Sequence, residues 1–165
     1  MTRPIATARL GRATLNSSVW YRGQLVTFLT IGEDTEGRFA LLRVHGNQGG
    51  GQEWHYHTSE DETIYVLNGE LIVYAGGEEL HACPGDSVTI PRGLEHSIRH
   101  DTAEVMFLLQ FSPAGFERYF HEMSEPAEYL GLPPRLAPPD GVRMVATAAR
   151  YGCVFTRLTE LEQTT

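Results

Sequence analysis

The sequence predicts an all-β fold, a sandwich or barrel of short strands followed by helices, and three observations carry that prediction. Runs rich in β-branched and aromatic residues recur between about residues 19 and 111, a composition that suits a pleated, half-buried surface. Turn signals separate them at short intervals, at Gly23, Asn68-Gly69, Gly76-Gly77, Pro84-Gly85-Asp86 and Pro91-Arg92-Gly93, and many short strands with regular turns read as a sandwich or barrel. Beyond residue 112 the apolar period becomes helical, with Phe116, Tyr119, Phe120 and Met123 on one stripe.

Taken in order, Val19-Trp20-Tyr21, residues 25–31 and residues 39–44 read as strands, with Gly23 and the loop at 32–37 between them. Gly49-Gly50-Gly51 is a flexible loop before a strand that carries His55 and His57. Asn68-Gly69 is the strongest hairpin cue in the chain, with Gly69 allowing the sharp turn into residues 70–74. Residues 105–109 show no alternation and are expected to be covered on both faces. A helix over residues 113–123, with Ser112 as N-cap and Pro113 near its start, is the natural cover. Its aromatic stripe reads as core packing rather than as a binding platform. Pro133-Pro134 and Pro138-Pro139 bracket a linker, Asp140 to Tyr151 reads as a second helix ending near Gly152, and the polar tail at 159–165 is expected to fray.

Composition bounds the function. The 165 residues, 41% hydrophobic, fit one domain over 1–165, with a barrel core at about 19–111 and a helical extension at about 113–152. A formal charge of -8 argues against nucleic acid, which would need a basic face. Cys83 and Cys153 are too few for a disulfide framework, and Cys83 reads as a small buried residue rather than a nucleophile. Residues 1–18 hold Arg3, Arg9 and Arg12 without an apolar run, so no secretory signal is expected, and no stretch is long enough for a membrane span. A cytoplasmic protein is the expectation.

Two clusters then point to a metal. The first runs Gly49, five residues, His55-Tyr56-His57, four residues, Glu62, six residues, Gly69. The second runs Gly85, five residues, Pro91-Arg92-Gly93, two residues, His96. Residues i and i+2 of a strand share a face, so both imidazoles can enter one cavity while Tyr56 points away. Glu62, back on the neighbouring strand after Thr58-Ser59-Glu60-Asp61, can add an oxygen, and His96 a third imidazole from a distant strand. A lone His-x-His pair is more often a surface or hydrogen-bonded pair; the spaced Glu62 and His96 make accident improbable. His45, His81, His100 and His121 lie outside any ligand spacing.

The double pattern resembles the two motifs of the cupin superfamily. The first is met in full; the second departs at its end, where the family often has Asn and this chain has His100. The resemblance implies a double-stranded β-helix, the cupin jelly roll, with the C-terminal helices packed on the barrel. It makes His55, His57, Glu62 and His96 the ligands of one divalent transition metal. Further segments, residues 32–40, 111–117 and 148–152, are similar to bacterial single-domain cupins related to quercetin 2,3-dioxygenases. In that group a metal-bound flavonol loses a proton to the ligand glutamate and reacts with O2, giving a depside and carbon monoxide. Carried over, Glu62 is both ligand and catalytic base. Analogy to cupins also implies a homodimer.

Three imidazoles and a carboxylate suit Fe, Mn, Ni, Co, Cu or Zn, and four protein ligands leave positions open for substrate or O2. By parity Ile64 and Val66 share Glu62's face and Ile98 that of His96, with Phe28, Phe39, Met106 and Phe107 as candidates for the remaining wall. Such a pocket suits an aromatic or phenolic small molecule. Arg92, in a turn, is the only basic residue near either motif apart from an outward Arg99, which counts against sugar phosphates. The expectation is therefore a metal-dependent dioxygenase that cleaves a flavonol or similar planar enol. The alternatives are an isomerase or cyclase acting on a polyketide-like substrate, and a non-enzymatic small-molecule-binding barrel.

Overall fold

The computed structural model describes residues 7–134 and 140–157. In chain order its strands are β1 (Ser18–Tyr21), β2 (Gln24–Thr30), β3 (Ala40–Asn47), β4 (Gly51–His57), β5 (Asp61–Asn68), β6 (Leu71–Ala75), β7 (Glu78–Ala82), β8 (Ser87–Ile90), β9 (His96–His100) and β10 (Glu104–Ser112). Helix α1 (Glu117–Met123), β11 (Glu125–Pro126), helix α2 (Gly141–Arg150) and β12 (Cys153–Arg157) follow. Two antiparallel sheets form, one of seven strands in the order β11-β1-β2-β3-β10-β5-β8 and one of five in the order β12-β4-β9-β6-β7.

The inner faces of both sheets share one core. Leu42 and Val44 of β3, Ile64 and Val66 of β5, Leu71 and Val73 of β6, Ile98 of β9 and Phe107 and Leu109 of β10 belong to a single buried cluster. This is a jelly roll, two sheets closed over a common interior. Alternation is clean in β3 and β5, where inward Glu62, Ile64 and Val66 are buried and outward Tyr65 and Leu67 are exposed. It is also present in β10. Val105, Phe107, Leu109 and Phe111 are buried while Met106, Leu108 and Gln110 are only half-buried. The expectation of cover on both faces was wrong: the outward Met106, Leu108 and Gln110 lie beside His45, Arg43 and Leu41 of β3 and stay half-buried.

Asn68-Gly69 does not make a hairpin. Strand β5 pairs with β10 and β8, whereas β6 pairs with β9 and β7, so this turn carries the chain from one sheet to the other. Gly69 is required there: its φ is +72°, and an added Cβ would stand 2.2 Å from the Glu104 carbonyl oxygen. The true two-residue hairpins are β1–β2 through Arg22-Gly23 and β6–β7 through Gly76-Gly77. All four turn residues have positive φ, the geometry whose twist matches the flanking strands.

The C-terminal part is less helical than its sequence implies. Helix α1 begins only at Glu117, after Phe116 as an N-cap without a side-chain bond. Ser112 does not cap it, because Ser112 ends β10 and its hydroxyl donates to the Arg38 carbonyl at 3.2 Å. Helix α2 is capped by Asp140, which accepts from the Val142 and Arg143 amides. It delivers β12, which pairs along the edge of β4. Cys83 is exposed, not buried: it sits in a turn closed by a bond from the Cys83 amide to Asp86 Oδ2 at 2.9 Å and tied to the sheet through Val66. Pro138-Pro139 and the tail at 159–165 lie outside the described residues. Among the described residues no helix is long and apolar enough to cross a membrane.

Candidate metal centre

Strand β4 aims its histidines through pairing on both edges. His55 lies opposite His96 of β9 on one side and opposite Phe155 of β12 on the other. The β4–β9 register shifts between Gln52 and His55, a bulge of the kind that re-aims side chains beside functional sites. His96 therefore comes from the adjacent paired strand, not a distant one. Glu62 comes from β5 in the facing sheet, not from a neighbour of β4. Three imidazoles on one wall thus meet a carboxylate from the other. Sequence adjacency hid this, because residues 58–60 cross between sheets instead of closing a hairpin.

The four side chains converge. One ligand-type atom from each of His55, His57, Glu62 and His96 lies within 4.8 Å of every other, and their exposures are 4%, 2%, 1% and 1%. His55 Nδ1 donates to the Glu53 carbonyl at 2.6 Å and His96 Nδ1 to the Leu94 carbonyl at 2.8 Å. A neutral imidazole donating through one nitrogen keeps a lone pair on the other, so both Nε2 atoms face the cluster as electron-pair donors. Glu62 Oε2 is 3.0 Å from His57 Nε2 and 3.4 Å from His96 Nε2. Glu62 Oε1 and His96 Nε2 are buried without a hydrogen-bond partner. Orphaned acceptors converging in a dry site are what a cation would satisfy, and the cluster could hold one.

The charges agree with that reading. Burial, with the neighbouring His96 as the next cause, drives the His55 imidazolium down to about 3, so His55 is neutral. Burial alone would raise Glu62, but its hydrogen bond with His57, its contact with His96 and the charge of both hold its carboxyl well below the usual range. His96 is opposed by burial yet ends raised, through its contact with Glu62 and the carboxylate charge. Burial, then the Glu62 and Glu60 charges, push the Cys153 thiol up, so it stays protonated beside the site.

A small cavity of about 20 Å³ opens against this cluster, lined by His55, Glu62, Phe111, Phe116, Tyr119 and Phe155 among others. The Phe116 ring is 4.4 Å and the Phe111 ring 5.4 Å from His57. The α1 stripe is thus core and pocket wall at once. The wall expected from Phe28, Phe39, Met106 and Phe107 is not found. Phe28 packs on His121, Phe39 and Met106 are half-buried elsewhere, and Phe107 packs on His100. Ile64, Val66 and Ile98 are buried in the shared core. A second departure is Arg22, which lines the cavity and lies 3.1 Å from Glu53. The site is therefore not free of basic residues, although Arg92 is engaged with Asp61 outside it and Arg99 faces Asp101. Arg22 precedes a glycine in a tight turn, and nothing local in the sequence links that turn to His55.

The other histidines are accounted for. His45 meets Glu104, His81 meets Glu79 and His121 meets Phe28. His100 is buried, with Nδ1 donating to the Asn47 carbonyl at 3.0 Å.

A two-sheeted jelly roll whose facing walls contribute three imidazoles and one carboxylate belongs to the cupin class. The Cupin domain family matches residues 42–111, which contain all four residues. The chain thus carries a cupin domain over those residues, and it is similar to quercetin 2,3-dioxygenase of Bacillus subtilis (strain 168), 30% identical over 105 residues. That alignment covers 64% of this chain and 31% of the relative, so the chain spans about a third of the length of the curated relatives it matches. Among solved structures it is similar to an RmlC-like cupin from Shewanella frigidimarina NCIMB 400, with TM-score 0.57 and 17% identity over 69% of this chain and 99% of that one. It is also similar to the polyketide cyclase RemF from Streptomyces resistomycificus, with TM-score 0.52 and 22% identity over 63% and 80%. At these identities the two structures share its fold.

Proposed function

We propose that the protein is a metal-dependent dioxygenase acting on a flavonol or similar planar enol or phenol. His55, His57, His96 and Glu62 are the metal-holding residues of this reading, and the observation that carries it is the convergence of their donor atoms within 4.8 Å at the wall of an aromatic cavity. A bound divalent transition metal would supply Lewis acidity and redox capacity toward O2. The chain supplies the rest. Phe111, Phe116 and Phe155 offer flat apolar surface that orients a planar ring and excludes water. Glu62, whose carboxylate is held ionised, accepts the substrate's enolic or phenolic proton. The likeness to the quercetin 2,3-dioxygenase of Bacillus subtilis supports the same class.

A second reading draws on the hydroxyl pair of Tyr21 and Tyr119, 2.7 Å apart and buried in the cavity wall. Burial raises both phenols, so both stay protonated. Protonated hydroxyls lining the same cavity as a carboxylate base would serve, as hydrogen-bond donors, a cyclisation or isomerisation without O2. Flavonol consumption, followed by absorbance with and without O2 on protein of measured metal content, separates the readings. Turnover confined to aerobic samples supports the dioxygenase. Anaerobic turnover supports the isomerase or cyclase, and binding without product a ligand-binding barrel. We take the working form to be a single-domain cytoplasmic homodimer joined through a sheet edge, which sedimentation and fractionation test.

A further inference from the structure

Each histidine of the cluster has a second ring nitrogen, and what that nitrogen meets differs. In His55 and His96 it donates to a backbone carbonyl, at 2.6 and 2.8 Å. In His57 it has no hydrogen-bond partner although it is buried. Facing it, 3.8 Å away, is Glu60 Oε2, also buried and also without a partner. Two orphaned polar atoms of complementary type, in a chain whose other buried groups are largely satisfied, call for an explanation.

We propose that Glu60 is the positioning residue of His57, a carboxylate that receives the Nδ1 proton once a cation occupies the cluster. The proposal rests on the metal reading above. Without a cation, His57 Nε2 is 3.0 Å from Glu62 Oε2, a contact that requires the imidazole proton on Nε2. A cation needs the Nε2 lone pair, so the proton must then sit on Nδ1. There it faces Glu60 at 3.8 Å, outside the 2.7–3.2 Å range of a formed bond, so the carboxylate must move in by about 0.6 Å to accept it. Carboxylate–imidazole–metal chains of this kind fix the tautomer and raise ligand basicity. A carboxylate is also the partner that a charged centre favours. With a divalent cation, Glu62 and Glu60 together would bring the buried charge to zero. The neighbourhood leaves space for Glu60: Gly115 has no side chain, and a Cβ there would approach Glu60 Oε1 to 3.4 Å. Phe116 closes the other side of the His57 ring, so the imidazole has one polar neighbour at each nitrogen and apolar contact beside it.

Cobalt(II) binding to the full chain tests this, with Kd from competition titration and coordination from the visible spectrum. Glu60→Leu removes the acceptor and is expected to weaken Kd about 10–100-fold and to alter the cobalt spectrum. Glu60→Gln keeps the volume and an acceptor oxygen without the charge, and falls between. Melting of the metal-free protein, read in parallel, reports any loss of fold. If both variants keep Kd within about twofold and an unchanged spectrum, the proposal is overturned, whatever their melting temperatures. If the wild-type chain binds no cobalt, the metal reading itself fails and this proposal with it. Wild-type binding that ignores Glu60 removes the positioning role alone.

Discussion

His96 and His100 stand on the same face of one strand, each 1% exposed, and their surroundings are opposite. His96 faces Glu62, His55 and His57. His100 faces the Asn47 carbonyl, the Phe107 ring and the backbone of Gly46 and Gly50. Burial depresses both imidazoles, but only His96 has a carboxylate that reverses the sign. A buried histidine is therefore not a ligand candidate by itself. What separates the two is a carboxylate from the facing sheet and two further imidazoles within reach.

The sharpest way to break this comparison is to remove each ring. His96→Ala should lower metal affinity by more than about 100-fold, beyond what loss of an outer partner costs. His100→Ala should leave metal content by elemental analysis at the wild-type level. Equal losses would mean that burial, not convergence, sets binding. Next, Glu62→Gln should lower turnover by about 10²–10⁴, with a smaller loss of bound metal; a parallel fall of both would reduce Glu62 to a ligand. On the pocket side, Phe116→Ala removes a ring shared by core and cavity and should cost about 3–5 kcal/mol in chemical unfolding.

The smallest effect concerns pH. The folded His100 is depressed below its unfolded value of about 6.5. Its contribution to stability is then fully present above that pH, and is lost as pH falls through the window below it, because the unfolded chain binds the proton first. His55, depressed to about 3, acts in the same direction. Melting of the metal-free protein should therefore weaken from pH 7.5 to 5.5, and His100→Asn should flatten that slope.

The motif residues were legible because their chemistry is local: alternation puts His55 and His57 on one face, and Pro91-Arg92-Gly93 sets up His96. Strand partnership was not. Asn68-Gly69 reports that the chain reverses, but not which strand receives it, so the crossing between sheets stayed hidden and Glu62 was placed beside β4 instead of opposite it. The pocket wall failed for a related reason. Parity is relative to a face, and Phe107 shares the inward face of β10 with Phe111 yet lies at the His100 end of the interior. Glu60 and Arg22 were missed because each sits in a connection whose residues read as ordinary turn chemistry. Strand β12 was missed because five residues directly after a helix offer too short a pattern.

That last strand has a consequence for biosynthesis. Tyr56 and His57 lie opposite Val154 and Cys153, so one edge of the histidine strand acquires its hydrogen-bonding partner roughly a hundred residues after it leaves the ribosome. At about 5–20 residues per second that is a delay of roughly 5–20 s, during which the strand's open edge is available to any extended segment nearby. Cellular folding helpers would be needed most in that interval.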